Sequence, residues 1–204
     1  MFIVVANWKA NLAFYEAIAF CKENVQAFAE LGKGVELVVC PSFDALYAVS
    51  QIVENTGIQL GAQNCSAYKQ GAYTGQVGAE SLADIGCTYT LIGHYEARAY
   101  LKEQDTEIAD KAERLFAAGI EPILCIGETK QEYETDRTFA VLSRQLELRR
   151  KEIEEIPDLT ERERAKKTFQ STESERLRNA IETSKKETKE FCDQCDKRKA
   201  TASN

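Results

Sequence analysis

The chain repeats one pattern, in which a short apolar run is followed by a longer segment with helical spacing. The apolar runs lie at 2–6, 35–40, 58–62, 87–92 and 121–127. They recur at intervals of roughly 30 residues, which is typical of consecutive βαβ units. Between them, apolar residues recur every three or four positions, which predicts helices that bury one face. Because neighbouring parallel strands need a crossover connection, five such units indicate an α/β domain with a parallel sheet.

Two windings of that sheet remain open from the pattern alone. Right-handed crossovers allow either a doubly wound sheet or a (β/α) barrel. The unbroken run Phe2 to Ala6 predicts a first strand that is buried on both faces. Polar residues cluster where the strands end, and in a barrel these ends share one rim. The polar residues at strand ends are Asn7, Lys9, Gln63, Asn64, His94, Glu96 and Glu128.

His94 is the single histidine among 204 residues. It follows the apolar run that ends at Ile92, and Gly93 allows a tight turn into a segment with helical character. The N-terminus of a helix carries partial positive charge and favours a neutral imidazole over a charged one. An isolated histidine is more often structural than catalytic, so this position alone leaves both interpretations open.

The charge pattern changes abruptly at Arg149. Residues 149–204 contain 15 Lys or Arg and 13 Asp or Glu, and 13 of these 56 residues are apolar. This composition predicts exposed or frayed helix, followed by disorder from about Asp196. We therefore expect two domains, an incomplete barrel of about five βα units at 1–148 and a charged tail at 149–204. Cys192 and Cys195 form a C-x-x-C pair, for which metal or redox use is the less favoured interpretation.

Composition also excludes several classes of protein. The net charge of −7 argues against a nucleic-acid partner or an acidic membrane surface. No apolar run approaches the ~20 residues that span a bilayer. The N-terminus lacks the basic start and long apolar core of a secretory signal. Seven scattered cysteines are consistent with reduced thiols, so we expect a cytoplasmic protein.

Five motifs resemble those of triosephosphate isomerase, in that family's order and spacing. They are Ala6-Asn7-Trp8-Lys9, Gly61-Ala62-Gln63-Asn64, Gly71-Ala72-Tyr73-Thr74-Gly75, Ile92-Gly93-His94 with Glu96, and Leu124-Cys125-Ile126-Gly127-Glu128-Thr129. The resemblance implies a (β/α)8 TIM barrel. It also implies an enzyme of glycolysis and gluconeogenesis that interconverts dihydroxyacetone phosphate and D-glyceraldehyde 3-phosphate through an enediolate. No cofactor or metal is implied.

The resemblance assigns roles to individual residues. Lys9 would bind the substrate phosphate and offset charge on the enediolate, and Asn7 would donate a hydrogen bond beside it. His94 would polarise the substrate carbonyl as a neutral donor, while Glu96 would support Lys9 from the rim. Thr74 lies at the tip of the loop that family members insert into a neighbouring subunit, so a homodimer is implied.

Four further residues look structural by the same resemblance: Gln63, Asn64, Cys125 and Glu128. Asn64 would tie the rim near Lys9, and Glu128 would anchor the loop after the fifth strand.

The chain also departs from the family pattern. Tyr95 stands where the family usually has a serine that can cap a helix. Nothing after residue 148 resembles the sixth strand with its catalytic glutamate and lid, and residues 129–204 contain no glycine for phosphate-binding turns. We therefore expect impaired activity. Two alternatives stay open: an inactive truncated barrel that acts as an interaction protein, or a frameshifted gene product.

Overall fold

The computed structural model describes residues 2–32 and 34–155, excluding the side chains of Leu31 and of residues 148–155. Five strands alternate with helices along this part of the chain. In order, the elements are β1 (Phe2–Asn7), α1 (Phe14–Leu31), β2 (Val35–Cys40), α2 (Phe43–Val53), β3 (Gln59–Ala62), α3 (Ala79–Asp84), β4 (Cys87–Ile92), α4 (Tyr95–Tyr100), α5 (Asp105–Ala117), β5 (Glu121–Leu124), α6 (Lys130–Glu134) and α7 (Thr138–Glu155).

All five strands belong to one parallel sheet in the order β1-β2-β3-β4-β5. A doubly wound sheet reverses its winding at a switch point, whereas a barrel adds each strand beside the preceding one. The sequential order therefore selects the barrel winding from the two that the sequence allows. The described part is a half-barrel of five strands, and the predicted fold class is confirmed.

The two faces of the sheet bury different side chains. Val39, Leu60 and Ile92 point towards the helices and join the main core with Leu46 and Leu115. On the opposite, inner face a smaller cluster contains Val38, Cys40 and Leu91, with Ile123 packed against it. The successive residues Val38 and Val39 thus point to opposite faces, as the pleat of a strand requires.

The prediction that β1 is buried on both faces is wrong. Phe2, Ile3, Val4 and Val5 are 82%, 51%, 48% and 37% exposed, respectively. Among the described residues, β1 pairs only with β2, so it is an edge strand. Its apolar side chains lack the neighbours that cover the central strands β2 to β4.

The other helices and strands lie where the sequence pattern predicts them, with two exceptions. α6 was not predicted from the pattern, and β5 ends at Leu124 rather than at Gly127. Residues 1–152 form one compact unit. The predicted boundary at residue 148 stays a prediction, and the predicted behaviour of the tail, with Cys192 and Cys195, lies outside the described residues. In the described part of the chain, no helix is long and apolar enough to cross a membrane.

Candidate active site

Lys9 has a backbone conformation that is unusual for a residue with a side chain. Its φ angle is +54°, in the left-handed region. Such a conformation costs of order 1–3 kcal/mol and persists only where its surroundings hold it. Two hydrogen bonds do so here: the Lys9 N–H donates to Asn7 Oδ1 at 3.0 Å, and Gln63 Nε2 donates to the Lys9 carbonyl at 2.9 Å. Gln63 Nε2 also donates to the Cys40 carbonyl at 3.0 Å, which joins the ends of three strands.

The Lys9 side chain reaches the segment that follows β4. Its Nζ lies 2.7 Å from Glu96 Oε1, and both side chains are nearly half exposed, at 46% and 42%. The hydrogen bond from Lys9 is the main cause that lowers the pKa of the Glu96 carboxyl below its usual range. The positive charge of Lys9 acts in the same direction, and burial opposes it. Glu96 is therefore ionised and paired near neutral pH.

His94 is the N-cap residue of α4. Its Nδ1 accepts a hydrogen bond from the Glu96 N–H at 3.3 Å. Glu96 Oε2 lies equally close, 3.3 Å from Nδ1. An Nδ1 that accepts from this N–H carries a lone pair and leaves the imidazole proton on Nε2, whereas a proton on Nδ1 would bond to Glu96 Oε2 instead. An Nε2–H at this position can donate to a ligand at the rim.

The turn between β4 and α4 is fixed by Arg98. Gly93 has a φ angle of +66°, and Arg98 Nε donates to the Gly93 carbonyl at 2.7 Å. A Cβ atom at position 93 would come within 2.9 Å of Arg98 Nη2. Arg98 Nη1 also pairs with Asp105 at 2.5 Å, so the turn is tied to the start of α5. His94 itself provides the helix cap, and the serine that the family usually has at position 95 is not needed for it here.

Asn64 does not make the predicted tie near Lys9. Its Oδ1 accepts from the Cys65 N–H at 2.9 Å and from Lys111 Nζ at 2.8 Å. Lys111 in turn forms an ion pair with Glu103, and both side chains are at least nine-tenths buried. The tie to Lys9 comes instead from Gln63, the preceding residue. The sequence did not indicate the Lys111–Glu103 pair, because Lys111 lies on a helix face whose period predicts an apolar core residue.

The loop after β5 is anchored by α7. Thr138 Oγ1 donates to Glu128 Oε1 at 3.0 Å. The amide of Gln145 makes two bonds with the Gly127 backbone: Oε1 accepts from the N–H at 2.9 Å, and Nε2 donates to the carbonyl at 3.1 Å. Glu128 thus occupies the anchoring place that the sequence predicts for it.

Thr74 lies on the segment 65–78, which contains no helix or strand and leaves Thr74 exposed. The base of this loop is closed by a hydrogen bond from the Ser66 N–H to the Val77 carbonyl at 2.7 Å. Within it, the rings of Tyr68 and Tyr73 stack with centroids 4.3 Å apart. Rings stacked in this way restrict the loop's conformations.

The structure thus brings together Lys9, Glu96 and His94, with Asn7 joined through the Lys9 backbone. These residues lie at the carboxyl ends of β1 and β4, on the rim where βα-barrel enzymes place their active sites. In residues 2–32 and 34–155, no group of three His, Cys, Asp or Glu side chains could hold a metal ion. A cation, an imidazole and an ionised carboxylate on the rim of a parallel βα half-barrel define the class: a barrel-type protein with a polar site at the carboxyl ends of its strands.

Comparison with known proteins gives the family. The family model for triosephosphate isomerase matches residues 2–162, so the chain belongs to the triosephosphate isomerase family. The match runs past residue 148, where the predicted barrel domain ends.

Two curated relatives show the extent of the similarity. The triosephosphate isomerase of Aquifex aeolicus is 37% identical over 156 residues, which are 76% of this chain and 63% of that protein. The triosephosphate isomerase of Dictyoglomus thermophilum is 42% identical over 147 residues, which are 71% of this chain and 57% of that protein. The chain therefore spans about six tenths of the length of these relatives.

A solved structure agrees with the half-barrel. The crystal structure of triosephosphate isomerase from Bartonella henselae superposes with a TM-score of 0.66 at 30% sequence identity. The superposition covers 72% of this chain and 60% of that one.

Proposed function

We propose that the rim of this half-barrel binds a triose phosphate and polarises its carbonyl group, as the first part of an aldose–ketose isomerisation. The reaction class is the interconversion of dihydroxyacetone phosphate and D-glyceraldehyde 3-phosphate through an enediolate. The observation that carries the proposal is the contact of Lys9 with Glu96 at 2.7 Å, next to His94 whose Nδ1 is occupied. Membership of the triosephosphate isomerase family supports the substrate class.

The proposed roles are those that the family resemblance implies, and the contacts at the rim support them. Lys9 is the cation for the dianionic phosphate and for the charge that develops on the enediolate oxygen. Glu96 holds the Lys9 ammonium group at the rim, and Gln63 holds its backbone. His94 donates from Nε2 to the carbonyl oxygen, because Nδ1 already accepts from the Glu96 N–H. Asn7 Oδ1 accepts from Lys9, which leaves its Nδ2 group to donate to substrate.

Proton abstraction next to the carbonyl needs a separate base. Glu96 is unsuited to this role, because a carboxyl whose pKa is lowered is a weak base. Its Oε1 is also engaged by Lys9. We therefore propose that isomerisation by the 204-residue chain is impaired, and that substrate binding and carbonyl polarisation are better retained than proton abstraction.

The Thr74 loop and the cysteines support proposals about assembly and compartment. The exposed Thr74 loop supports a homodimer of the kind that the family resemblance implies. The cysteines at 21, 40, 65, 87 and 125 are free, and burial raises the pKa of Cys40 and Cys87 to about 12. Buried, protonated thiols fit a reducing compartment such as the cytoplasm.

A coupled isomerase assay tests the activity, and a binding titration tests the rim. We expect turnover well below that of a full-length relative, and His94→Gln to abolish what remains. We expect 2-phosphoglycolate, a non-reacting phosphate ester whose carboxylate resembles the enediolate, to bind the chain and to bind Lys9→Met at least ~10-fold more weakly. Equal binding by the wild-type chain and Lys9→Met would refute the proposal.

A second candidate function is an inactive interaction protein. It is favoured by the exposed Thr74 loop, which is shaped for docking whether or not catalysis occurs. Turnover that His94→Gln abolishes would exclude it.

A further inference from the structure

The contacts that the His94 imidazole makes in the described part of the chain are weak. Its Nδ1 lies 3.3 Å from the Glu96 nitrogen and 3.3 Å from Glu96 Oε2. Both distances exceed the usual separation of about 2.9–3.0 Å for hydrogen bonds of N–H groups. The side chain is also 26% exposed. The direction of the ring therefore depends mainly on the backbone from which it projects.

Arg98 holds that backbone on both sides of His94. Its Nε donates to the Gly93 carbonyl at 2.7 Å, and its backbone N–H donates to the His94 carbonyl at 3.0 Å. These two carbonyl groups flank the Cα atom of His94. The peptide plane before His94 is thus fixed by the guanidinium group, and the plane after it is fixed by the first turn of α4.

The guanidinium group of Arg98 is itself held firmly. Its Nη1 pairs with Asp105 at the start of α5, and the side chain is 17% exposed. A Cβ atom at position 93 would lie 2.9 Å from Arg98 Nη2 and 3.1 Å from the end of the Ile108 side chain. Arginine and isoleucine therefore pack closely around the Gly93 turn, and the donor to its carbonyl has little freedom to move.

Arg98 acts separately from the cation of the rim. The contacts that hold Lys9 are those with Gln63 through its carbonyl and with Glu96 through its ammonium group. The guanidinium group makes its bonds to Gly93 and Asp105 instead. Removal of this group should therefore release the turn that carries His94 and leave Lys9 in place.

We propose that Arg98 is a positioning residue for His94. Through the Gly93 carbonyl, its guanidinium group sets the direction in which His94 Nε2–H donates to the carbonyl of the substrate. The inference rests on the proposed function, because it concerns the aim of the same donor. A catalytic group must be held within about 0.5 Å of its productive position, and a misplacement of about 1 Å can cost about 100-fold in rate.

The alternative is that Arg98 only ties α4 to α5. Both roles predict that loss of the guanidinium group lowers the unfolding free energy. They differ in the molecules that remain folded. A structural tie leaves the His94 Nε2–H aimed as before. A positioning role predicts that this donor loses its aim while Lys9 still binds the ligand.

The long-range ¹H–¹⁵N spectrum of His94, recorded during titration of full-length chains with 2-phosphoglycolate, separates the two roles. The decisive variant is Arg98→Met, which keeps an apolar stem and removes every side-chain donor. The Asp105 carboxylate is not left without a partner in this variant, because its Oδ2 lies 3.4 Å from Arg144 Nε. Arg98→Lys is the conservative variant, since one ammonium group can reach the Gly93 carbonyl without the fork to Asp105.

Arg114→Met is the matched control. The Arg114 side chain is 13% exposed, close to the value for Arg98, and it pairs with its neighbour Glu113 on α5. The control therefore removes a guanidinium group of similar burial from a place that holds neither the Gly93 turn nor the rim. We expect Arg114→Met to match the wild-type chain in affinity and in the displacement of the His94 Nε2 signal.

For Arg98→Met we expect the displacement of the Nε2 signal at saturation to fall at least ~2-fold, because the donor no longer meets the ligand. Binding should weaken by no more than ~5-fold, the worth of one hydrogen bond, since Lys9 remains. Arg98→Lys should restore part of the displacement. A displacement in Arg98→Met equal to that of wild type would overturn the proposal, and so would a loss of binding as large as in Lys9→Met.

A measurement on the wild-type chain serves if Arg98→Met fails to fold. The Arg98 Nε–H signal should move with 2-phosphoglycolate at the same midpoint as the His94 Nε2 signal, and a fixed Arg98 signal would overturn the proposal. The two levels of the account stay distinguishable. A wild-type chain that does not bind 2-phosphoglycolate overturns the proposed function together with this inference. Normal binding with an unaltered Arg98→Met response overturns this inference alone.

Discussion

At the scale of single residues, the rim depends on one glutamine. Gln63 Nε2 donates to the Lys9 carbonyl and thereby stabilises the left-handed backbone of Lys9. Gln63→Ala removes that bond, and we expect it to weaken binding of 2-phosphoglycolate by about 5- to 30-fold, since a hydrogen bond is worth about 1 kcal/mol and strain is released. Gln51→Ala is the control, because Gln51 Nε2 contacts only its neighbour Ser50, at 3.4 Å. Calorimetric titration that gives equal affinities for both variants would contradict this role.

The Lys9–Glu96 pair should also give the chain a defined acid sensitivity. The pKa of Glu96 is lowered in the folded chain relative to its ordinary value of 4.5. Its contribution to the unfolding free energy is therefore present above pH 4.5 and is lost as the pH falls through the folded value. We expect Glu96→Gln to flatten the pH dependence of stability below pH 4.5, as measured by urea denaturation, and the exposed control Glu23→Gln to leave it unchanged. A curve for Glu96→Gln that is parallel to wild type would refute the pairing.

The packing around Gly61 leaves no room for a side chain at that position. A Cβ atom there would lie 2.5 Å from Cys40 Sγ and 2.9 Å from Val38 Cγ1. We expect Gly61→Ala to lower the unfolding free energy by about 1–3 kcal/mol through overpacking of the inner face. Gly127→Ala is the matched control, since nothing lies within 4 Å of a Cβ at that position. Equal losses for the two variants in denaturant titrations would show that the inner face can relax.

At the scale of elements, the start of α4 combines a structural role with the chemical role that we propose for His94. His94 caps the helix through Nδ1, and asparagine is also a good N-cap residue. We therefore expect His94→Asn to change the unfolding free energy by no more than about 0.5 kcal/mol while abolishing turnover. His94→Leu should lose the cap as well, at a cost of about 1 kcal/mol. Activity retained by His94→Asn would remove His94 from the chemistry.

The same elements show how far the sequence could predict this structure. β2, β3 and β4 are apolar on both faces because both faces are covered, so their position and type could be read from the pattern. β1 has the same pattern, yet its exposure depends on which strands stand beside it, and a local pattern carries no such information. The rim could be predicted only in part. Lys9, Glu96 and His94 follow strand ends, whereas the bond from Gln63 to Lys9 depends on a left-handed backbone that composition does not reveal.

At the scale of the whole molecule, the described half-barrel carries its rim groups at the carboxyl ends of its strands. The central claim concerns the rim: a neutral His94 with its proton on Nε2, placed beside Lys9 to meet a triose phosphate. Because His94 is the single histidine of the chain, its imidazole gives one ¹⁵N spin system that needs no assignment by mutation.

The most direct measurement is the long-range ¹H–¹⁵N spectrum of that imidazole near neutral pH, recorded before and after addition of 2-phosphoglycolate. We predict a protonated Nε2 and an unprotonated Nδ1 in the free chain, with the Nε2 signal moving on binding and unmoved by ligand in Lys9→Met. A proton on Nδ1, or a spectrum that does not respond to the ligand, would contradict the account.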